Sequence, residues 1–270
     1  MGILAGERKS AGSWCLGVIG QMANTVGSHF FPEIAAGGFS RVDGTVQFWQ
    51  RVGALVGQDS IVLDFGAGRG AGQSEDSVAY RRSLRSLKGR VRELVGVDVD
   101  PAVTTNKALD RAFVITPDGE LPIADHSIDV IVSDFVFEHL QDPARAAGEL
   151  DRVLKPGGWI CARTPNRYGY IALANRMIPD QLHARIIQSA QDDRKGEDVF
   201  PAVYRLNTAG AFKRHFPASR YDLYVIPWDA EPAYYFGSKL LYSLLLAVQH
   251  CTPAPFKTVL TAFMRKRPVP

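Results

Sequence analysis

The sequence predicts an α/β protein built on a mostly parallel sheet with helices on both faces. Short apolar, β-branched runs alternate with segments of helical period from about residue 60 to residue 165. Strands alternating with helices imply crossover connections, which bring successive strands parallel. One apolar run also opens directly into glycines at alternate positions, where a strand must turn sharply.

Taken in order, the first element is an amphipathic helix over Asp43–Val56, with Val46, Trp49, Val52, Leu55 and Val56 on one side. Five strand runs follow: Ser60–Phe65 (SIVLDF), Leu94–Val99 (LVGVDV), Ala112–Ile115 (AFVI), Ile128–Ser133 (IDVIVS) and Trp159–Arg163 (WICAR). Between the last two, Asp142–Leu154 places Ala146, Leu150, Val153 and Leu154 at helical spacing behind an Asp-Pro start. Lys155-Pro-Gly-Gly158 ends it, since proline cannot continue a helix and glycine is free to leave it. Residues 166–215, rich in Arg, Tyr, His and Asn, read as helices and loops built onto the sheet. Tyr221–Ile226 is expected as a further strand, Tyr234–Val248 as a helix and Thr258–Arg265 as a last strand or helix. Leu240–Val248 (LLYSLLLAV) is too short to span a bilayer and is expected to be buried. With no repeat and no low-complexity linker, residues 1–270 read as one domain: an N-terminal helical segment (1–58), a core (59–166) and C-terminal additions (167–270).

Composition narrows the function classes. A 270-residue chain, 46% apolar and 22% charged, can bury a full core. Its formal charge of +3 gives no concentrated basic face, so no nucleic acid partner is expected. Cys15, Cys161 and Cys251 are far apart and odd in number, offering neither a disulfide framework nor a CxxC metal pair. A reducing cytoplasm and no metal are the expectations. Glu7, Arg8 and Lys9 precede the apolar stretch Trp14–Gly20, which Gln21 and Asn24 interrupt, so no secretory signal is expected.

The chemistry begins at Val62-Leu-Asp-Phe-Gly-Ala-Gly-Arg-Gly70. Glycines there let the backbone turn and let a ligand approach where a Cβ would stand. The dinucleotide pattern GxGxxG needs a glycine where Ala71 stands, and no Gly-Lys-Ser/Thr follows for a phosphate loop. Asp64 suits a cationic, amine-bearing ligand better than a pyrophosphate. The next strand ends in Asp98, well placed for ribose hydroxyls, with Asp100 ahead of Pro101 as a helix cap. Asp118 and Gly119 follow the third strand, where an acid can meet an exocyclic adenine amine.

VLDFGAGRG, GVDVDP, DGELPIADHSIDVIVSDFVFEHLQDP and LDRVLKPGGWICARTPN, in that order, resemble the successive motifs of class I S-adenosylmethionine-dependent methyltransferases, those of the ubiquinone-biosynthesis kind in particular. The resemblance covers about residues 60–166. It implies a Rossmann-like, seven-stranded sheet with N- and C-terminal helical additions, and S-adenosyl-L-methionine as cofactor. It also implies that Asp64, Gly66, Ala67 and Gly68 line the methionine end, Asp98 and Val99 the ribose, Asp118 and Gly119 the adenine, and Ser133–Asp134 the sulfonium side. One departure is clear: Asp64 and Asp98 are 34 positions apart, against about twenty in such folds. The excess lies in Ala71–Arg92, which carries Arg81, Arg82, Arg85, Lys88, Arg90 and Arg92. It reads either as a basic lid for an anionic acceptor or as an extended helix with a solvated face.

His139, just after the fourth strand, is the candidate catalytic base, with a positioning role as the alternative. Asn166, Arg167, Tyr168, His183, Tyr204 and Arg205 are the acceptor-site candidates, since ligands gather beyond the carboxyl ends of parallel strands. Trp14, Phe30, Phe31 and Phe39 are expected to pack the N-terminal segment rather than form a lid. The expected reaction is methyl transfer to a small-molecule acceptor, an oxygen being slightly preferred. The alternatives are a lipid-linked or glycan acceptor at a membrane surface and a binding module without turnover. Peripheral membrane contact would use Leu240–Val248, Phe256–Met264 and Arg265-Lys-Arg267.

Overall fold

Side chains alternate to opposite faces along each strand, and the apolar ones here build a separate core on each face of one sheet. The computed structural model describes residues 25–116, 119–177, 202–233 and 235–268. Trp14, Asp118 and His183 lie outside the described residues.

The strands are β1 (Ile61–Phe65), β2 (Glu93–Asp98), β3 (Arg111–Val114), β4 (Ile128–Asp134), β5 (Leu154–Pro165), β6 (Tyr221–Trp228) and β7 (Val259–Lys266), in the order β3-β2-β1-β4-β5-β7-β6. β1 to β5 pair in parallel, while β7 runs antiparallel to both β5 and β6. β6 therefore points the same way as β5. The carboxyl ends of six strands lie along one edge, and the connections leaving β5 and β6 rise from that edge. This is the seven-stranded, mostly parallel Rossmann-like sheet that the motif resemblance implies.

One face is covered by α5 (Pro143–Val153) and α7 (Ala209–His215), through Ala147, Leu150, Val153 and Phe212 against Leu63, Val95 and Ile131. The other is covered by α2 (Gly44–Leu55), through Phe48, Trp49 and Val52 against Val62, Val130 and Val132. Leu87, Val91 and Val103 complete that second core. A third, smaller cluster joins Val26 of α1 (Thr25–Phe30), Phe31 and Tyr242 of α8 (Lys239–Cys251).

Several elements differ from expectation for local reasons. Ala71–Arg92 is not an extended helix but two short ones, α3 (Ala71–Ser74) and α4 (Ala79–Arg85). Asp76, in the loop between them, takes Arg85 at 2.6 Å and caps the Val78 amide at 2.9 Å, so the chain turns there. β5 begins at Leu154, extended already at the end of α5, and runs through Lys155–Gly158 where a terminator alone was expected. α8 starts at Lys239 rather than Tyr234, because Gly237 and Phe236 are left-handed and Ser238 caps the Leu241 amide at 3.3 Å. Its Leu240–Val248 stretch is not buried: Leu240, Leu244 and Val248 face solvent. α6 (Tyr170–Met177) follows β5. No helix among the described residues is long and apolar enough to cross a membrane.

Asp43 ties two of these pieces together. Its Oδ1 accepts the Thr45 and Val46 amides at 2.9 Å each, starting α2, while Oδ2 meets Arg81 Nη2 at 2.5 Å. The carboxylate is almost wholly buried. Asp43→Ala removes a cap and strands a partly buried guanidinium, so a loss of about 2–4 kcal/mol is expected in urea unfolding.

Candidate functional site

Three strand ends place three carboxylates on one face of the sheet. Alternation puts Asp64 on the side of Val62, Asp98 on the side of Leu94 and Asp134 on the side of Val132, all in the core covered by α2. Asp134 is held by a bidentate pair, its Oδ1 2.6 Å from Arg163 Nε and its Oδ2 2.7 Å from Nη2. The indole Nε1 of Trp49 donates to the same Oδ2 at 3.0 Å. Burial works against ionisation of Asp134, but the charge and hydrogen bonds of Arg163, with Arg85 and Trp49, hold its carboxyl below the usual range. Arg163 is itself buried, lies over the Phe135 and Phe48 rings at 4.7 and 5.4 Å, and donates from Nη1 to Thr45 Oγ1 at 3.2 Å. Phe135, next in the chain, sits in the left-handed region at φ 60°.

Asp98 has a different job. Its Oδ2 accepts the Gly68 amide at 2.8 Å and its Oδ1 the Asp100 amide at 2.9 Å, so it locks the β1 loop to the end of β2. Asp100 in turn caps the 3₁₀ turn Pro101–Thr105 through the Ala102 amide at 2.8 Å. Asp64 is left as the third acid, with no hydrogen-bond partner found for it among the described residues. Burial first, then the charges of Asp134 and Asp98, push its carboxyl up to about 7, against the pull of Arg85.

The loop glycines divide the same way. A Cβ on Gly66 would run into the Val136 side chain and one on Gly70 into Asn106, so those two are required by packing within the protein. Gly68, at φ 50°, is different: the nearest atom to its Cβ position is Asp98 Oδ2 at 3.9 Å, and the space beyond is open. That open space borders Asp98, at the end of the strand next to the one that carries Asp64, and the exposed Val99 follows Asp98 in the chain. A cationic amine, a vicinal diol and a flat apolar ring each have a suitable neighbour here. These residues fit S-adenosylmethionine. Ala67 turns inward, toward Gly96. Gly119 closes a turn with its amide on Thr116 O at 3.0 Å.

Ser133 lies on the opposite face, fully buried, with no partner for its Oγ among the described residues. Near it runs a buried polar chain: Thr164 Oγ1 donates to Glu138 Oε2 at 2.9 Å and accepts Asn207 Nδ2 at 2.6 Å. His139 is partly exposed, its Nε2 3.9 Å from Glu138 Oε1.

The acceptor candidates separate. Asn166 is wholly buried and spends its amide on Pro255 O and Lys257 O at 2.9 and 2.7 Å, pinning β5 to the strand beside it. Its Oδ1 accepts the Tyr168 amide at 3.1 Å. Tyr204 is buried at φ 53° with its amide on Glu138 O, and Arg205 donates to Gln141 O. Arg167 and Tyr168 are exposed, Tyr168 against Phe256. The basic stretch turns largely inward: Arg81 reaches Asp43 and Asp76, Arg85 reaches Asp76 and Gly72 O, and Lys88 reaches Leu109 O. Phe30 stacks on Tyr242 and Phe39 on Tyr80, both as packing. Phe135, Arg163 and Glu138 are site neighbours that residue patterns did not single out, while Trp49 and Arg85 were read only as part of a helix face and of a basic stretch. A charged residue inside the apolar run WICAR was the one available signal, for Arg163.

Two cavities of about 160 and 330 Å³ lie at the amino-terminal edge of the strands, around Glu93 and Arg111 and around Asp129 and Lys155, away from this site. No cluster among the described residues could hold a metal ion.

Comparison with known proteins agrees with this geometry. Residues 63–162 match the family model of the methyltransferase domain. A probable S-adenosylmethionine-dependent methyltransferase of Mycolicibacterium smegmatis is 37% identical over 133 residues, 48% of this chain and 47% of that one. The malonyl-[acyl-carrier protein] O-methyltransferase 1 of Coxiella burnetii is 35% identical over 82 residues, 30% of this chain and 29% of that one. The chain thus spans less than half the length of these curated relatives. A solved S-adenosylmethionine-dependent methyltransferase from Methanosarcina mazei superposes with a TM-score of 0.51 at 17% identity, over 82% of this chain and 98% of that one, a likeness of fold.

Asp64 gives a pH signature. Its unfolded-state carboxyl ionises near 4 and its folded-state one near 7, so the native state holds a proton that the unfolded state releases between those values. Stability therefore falls as pH rises through this window, and the full cost stands above pH 7. Asp64→Asn is expected to raise stability at pH 8 by on the order of 1–2 kcal/mol and to leave it unchanged below about pH 4, read by thermal unfolding at both values.

Proposed function

We propose that this chain, whose residues 63–162 match a methyltransferase domain, transfers a methyl group from S-adenosylmethionine to a small-molecule oxygen acceptor. The carrying observation is the open space at Gly68 beside the loop-locking Asp98, with Asp64 on the same face of the neighbouring strand and Val99 exposed after Asp98. Bound there, S-adenosylmethionine supplies a methyl group already activated on a sulfonium. The protein's task is to align the acceptor and, where needed, to take its proton.

Asp64 suits the ammonium end of the cofactor, whose positive charge would offset the burial and the neighbouring carboxylates that raise the Asp64 carboxyl. Asp98 would accept from the ribose hydroxyls, with Val99 beside it, while Asp118 and Gly119 would meet the adenine. Asp134, already neutralised by Arg163, serves as a wall rather than as a ligand for charge. His139 stands at the end of β4 on the same sheet edge, partly exposed, and is the base we assign to a hydroxyl acceptor. An O-methyltransferase among the relatives favours oxygen. Arg167 and Tyr168, exposed where β5 ends, are the acceptor contacts of the original set that stay available to a ligand.

Two measurements bear on this. Calorimetry with S-adenosylmethionine should show Asp98→Ala weakening binding by about 1–3 kcal/mol, and an unchanged dissociation constant would move the ribose elsewhere. With a hydroxyl acceptor, His139→Ala should lower kcat by roughly 10²–10⁴-fold and abolish the acid limb of its pH profile. A fall in kcat with the pH profile retained would assign His139 to positioning. Tight binding with no turnover on any acceptor would leave a binding module.

A further inference from the structure

α8 carries an apolar stripe that nothing among the described residues covers. Leu240, Leu244 and Val248 recur every four residues along one side and are 83%, 59% and 44% exposed. Ala247 and Cys251 extend the same side, and Phe236 before the helix and Phe256 after it are more than half exposed. The opposite side is the packed one: Tyr242 stacks on Phe30 and meets Tyr235, and Leu246 joins the cluster of Val26 and Phe31. The helix is thus anchored on one side and, among the described residues, uncovered on the other.

We propose that the bare side of α8, with Phe236, Phe256 and Tyr168, seats on the surface of an anionic lipid bilayer. Charge selects this occupant. No Asp or Glu follows Glu231 in residues 232–270, and the exposed charges near the stripe are Lys239 at the helix start and Arg167 beside Tyr168. An apolar face rimmed by basic groups and an exposed tyrosine suits the headgroup boundary. β7 and the residues after it take no part. Val259–Lys266 is an interior strand, Lys266 is buried on Asp151 O and Leu154 O, and Arg267 pairs with Asp222.

The surface also borders the site. Gln249 on the packed side of α8 donates to Ala230 O at 3.3 Å, and a Cβ on Gly44 would stand 3.5 Å from both Ala230 Cβ and Arg163 Nη1. Arg163 holds Asp134. A bilayer under α8 would therefore lie a few side chains from the sheet edge where an acceptor must enter, so a membrane-resident acceptor would be presented there. The docking itself rests on the exposed side of α8 and the aromatic residues that flank it, Phe236, Phe256 and Tyr168. It is tested without cofactor, so its failure leaves the methyl-transfer proposal standing.

The test is co-sedimentation of the full chain with phosphatidylcholine vesicles and with mixed phosphatidylcholine–phosphatidylglycerol vesicles, for the parent and for Leu240→Ser/Leu244→Ser. The parent is expected to pellet with the mixed vesicles and less at high salt, and the double variant to partition about tenfold more weakly at an unchanged Tm. Leu240→Glu/Leu244→Glu should abolish binding. Four results would overturn the proposal: no pelleting of the parent, equal pelleting of parent and variants, a lowered Tm in the serine variant, which assigns the stripe to packing, or a parent dimer that the substitutions dissociate.

Discussion

Like charges at the ends of neighbouring parallel strands repel, and how that repulsion is divided governs the functional edge of this protein. Asp64, Asp98 and Asp134 share one face because strand direction and side-chain alternation leave no other option. Arg163 settles one of the three with two short hydrogen bonds at 2.6 and 2.7 Å. Backbone amides settle the second. Burial and what remains of the repulsion fall on Asp64, the acid that the proposed function sets against the cofactor's cation. Removing Arg163 would leave buried charge uncompensated, so the pair matters more for what it prevents than for any net attraction.

The glycine loop follows the same division of labour. Two of its glycines exist for the protein's own packing, under Val136 and Asn106, and one for an incoming molecule. Asn106 joins the two roles: its side chain excludes a Cβ at Gly70 while its amide holds the carbonyls of Ala67 and Gly68 at 3.2 and 3.1 Å. A loop fixed this closely costs a ligand little ordering when it binds.

Sequence made the sheet legible because each strand is a short apolar run between turn signals, and the strand centres stand where alternation put them. The loop and the strand-end acids were legible for the same reason: they sit next to strands that could be recognised locally. What could not be read was anything depending on distant partners. Trp49 and Asp134 are 85 positions apart, and nothing in the pattern of α2 announces a hydrogen bond from its indole. Asn166 looked like a ligand group and is consumed by two carbonyls some ninety positions on. The LLYSLLLAV run shows apolar content but not which side has a neighbour, and half of it turned out to have none. The arginines of residues 81–92 looked available until Asp43 and Asp76, on other elements, took the first and third of them.

The placement of β7 has a consequence for synthesis. Val259–Lys266 lies between β5 and β6 and is the sole neighbour of β6 in the sheet. Until residues 259–266 have left the ribosome, β5 presents an open, apolar edge and β6 has nothing to pair with. Any nascent chain halted before residue 259 therefore carries a sticky edge into the cell. Chaperone demand should peak in that interval, and nonsense mutations in the last few dozen codons should produce aggregates rather than a slightly shortened protein.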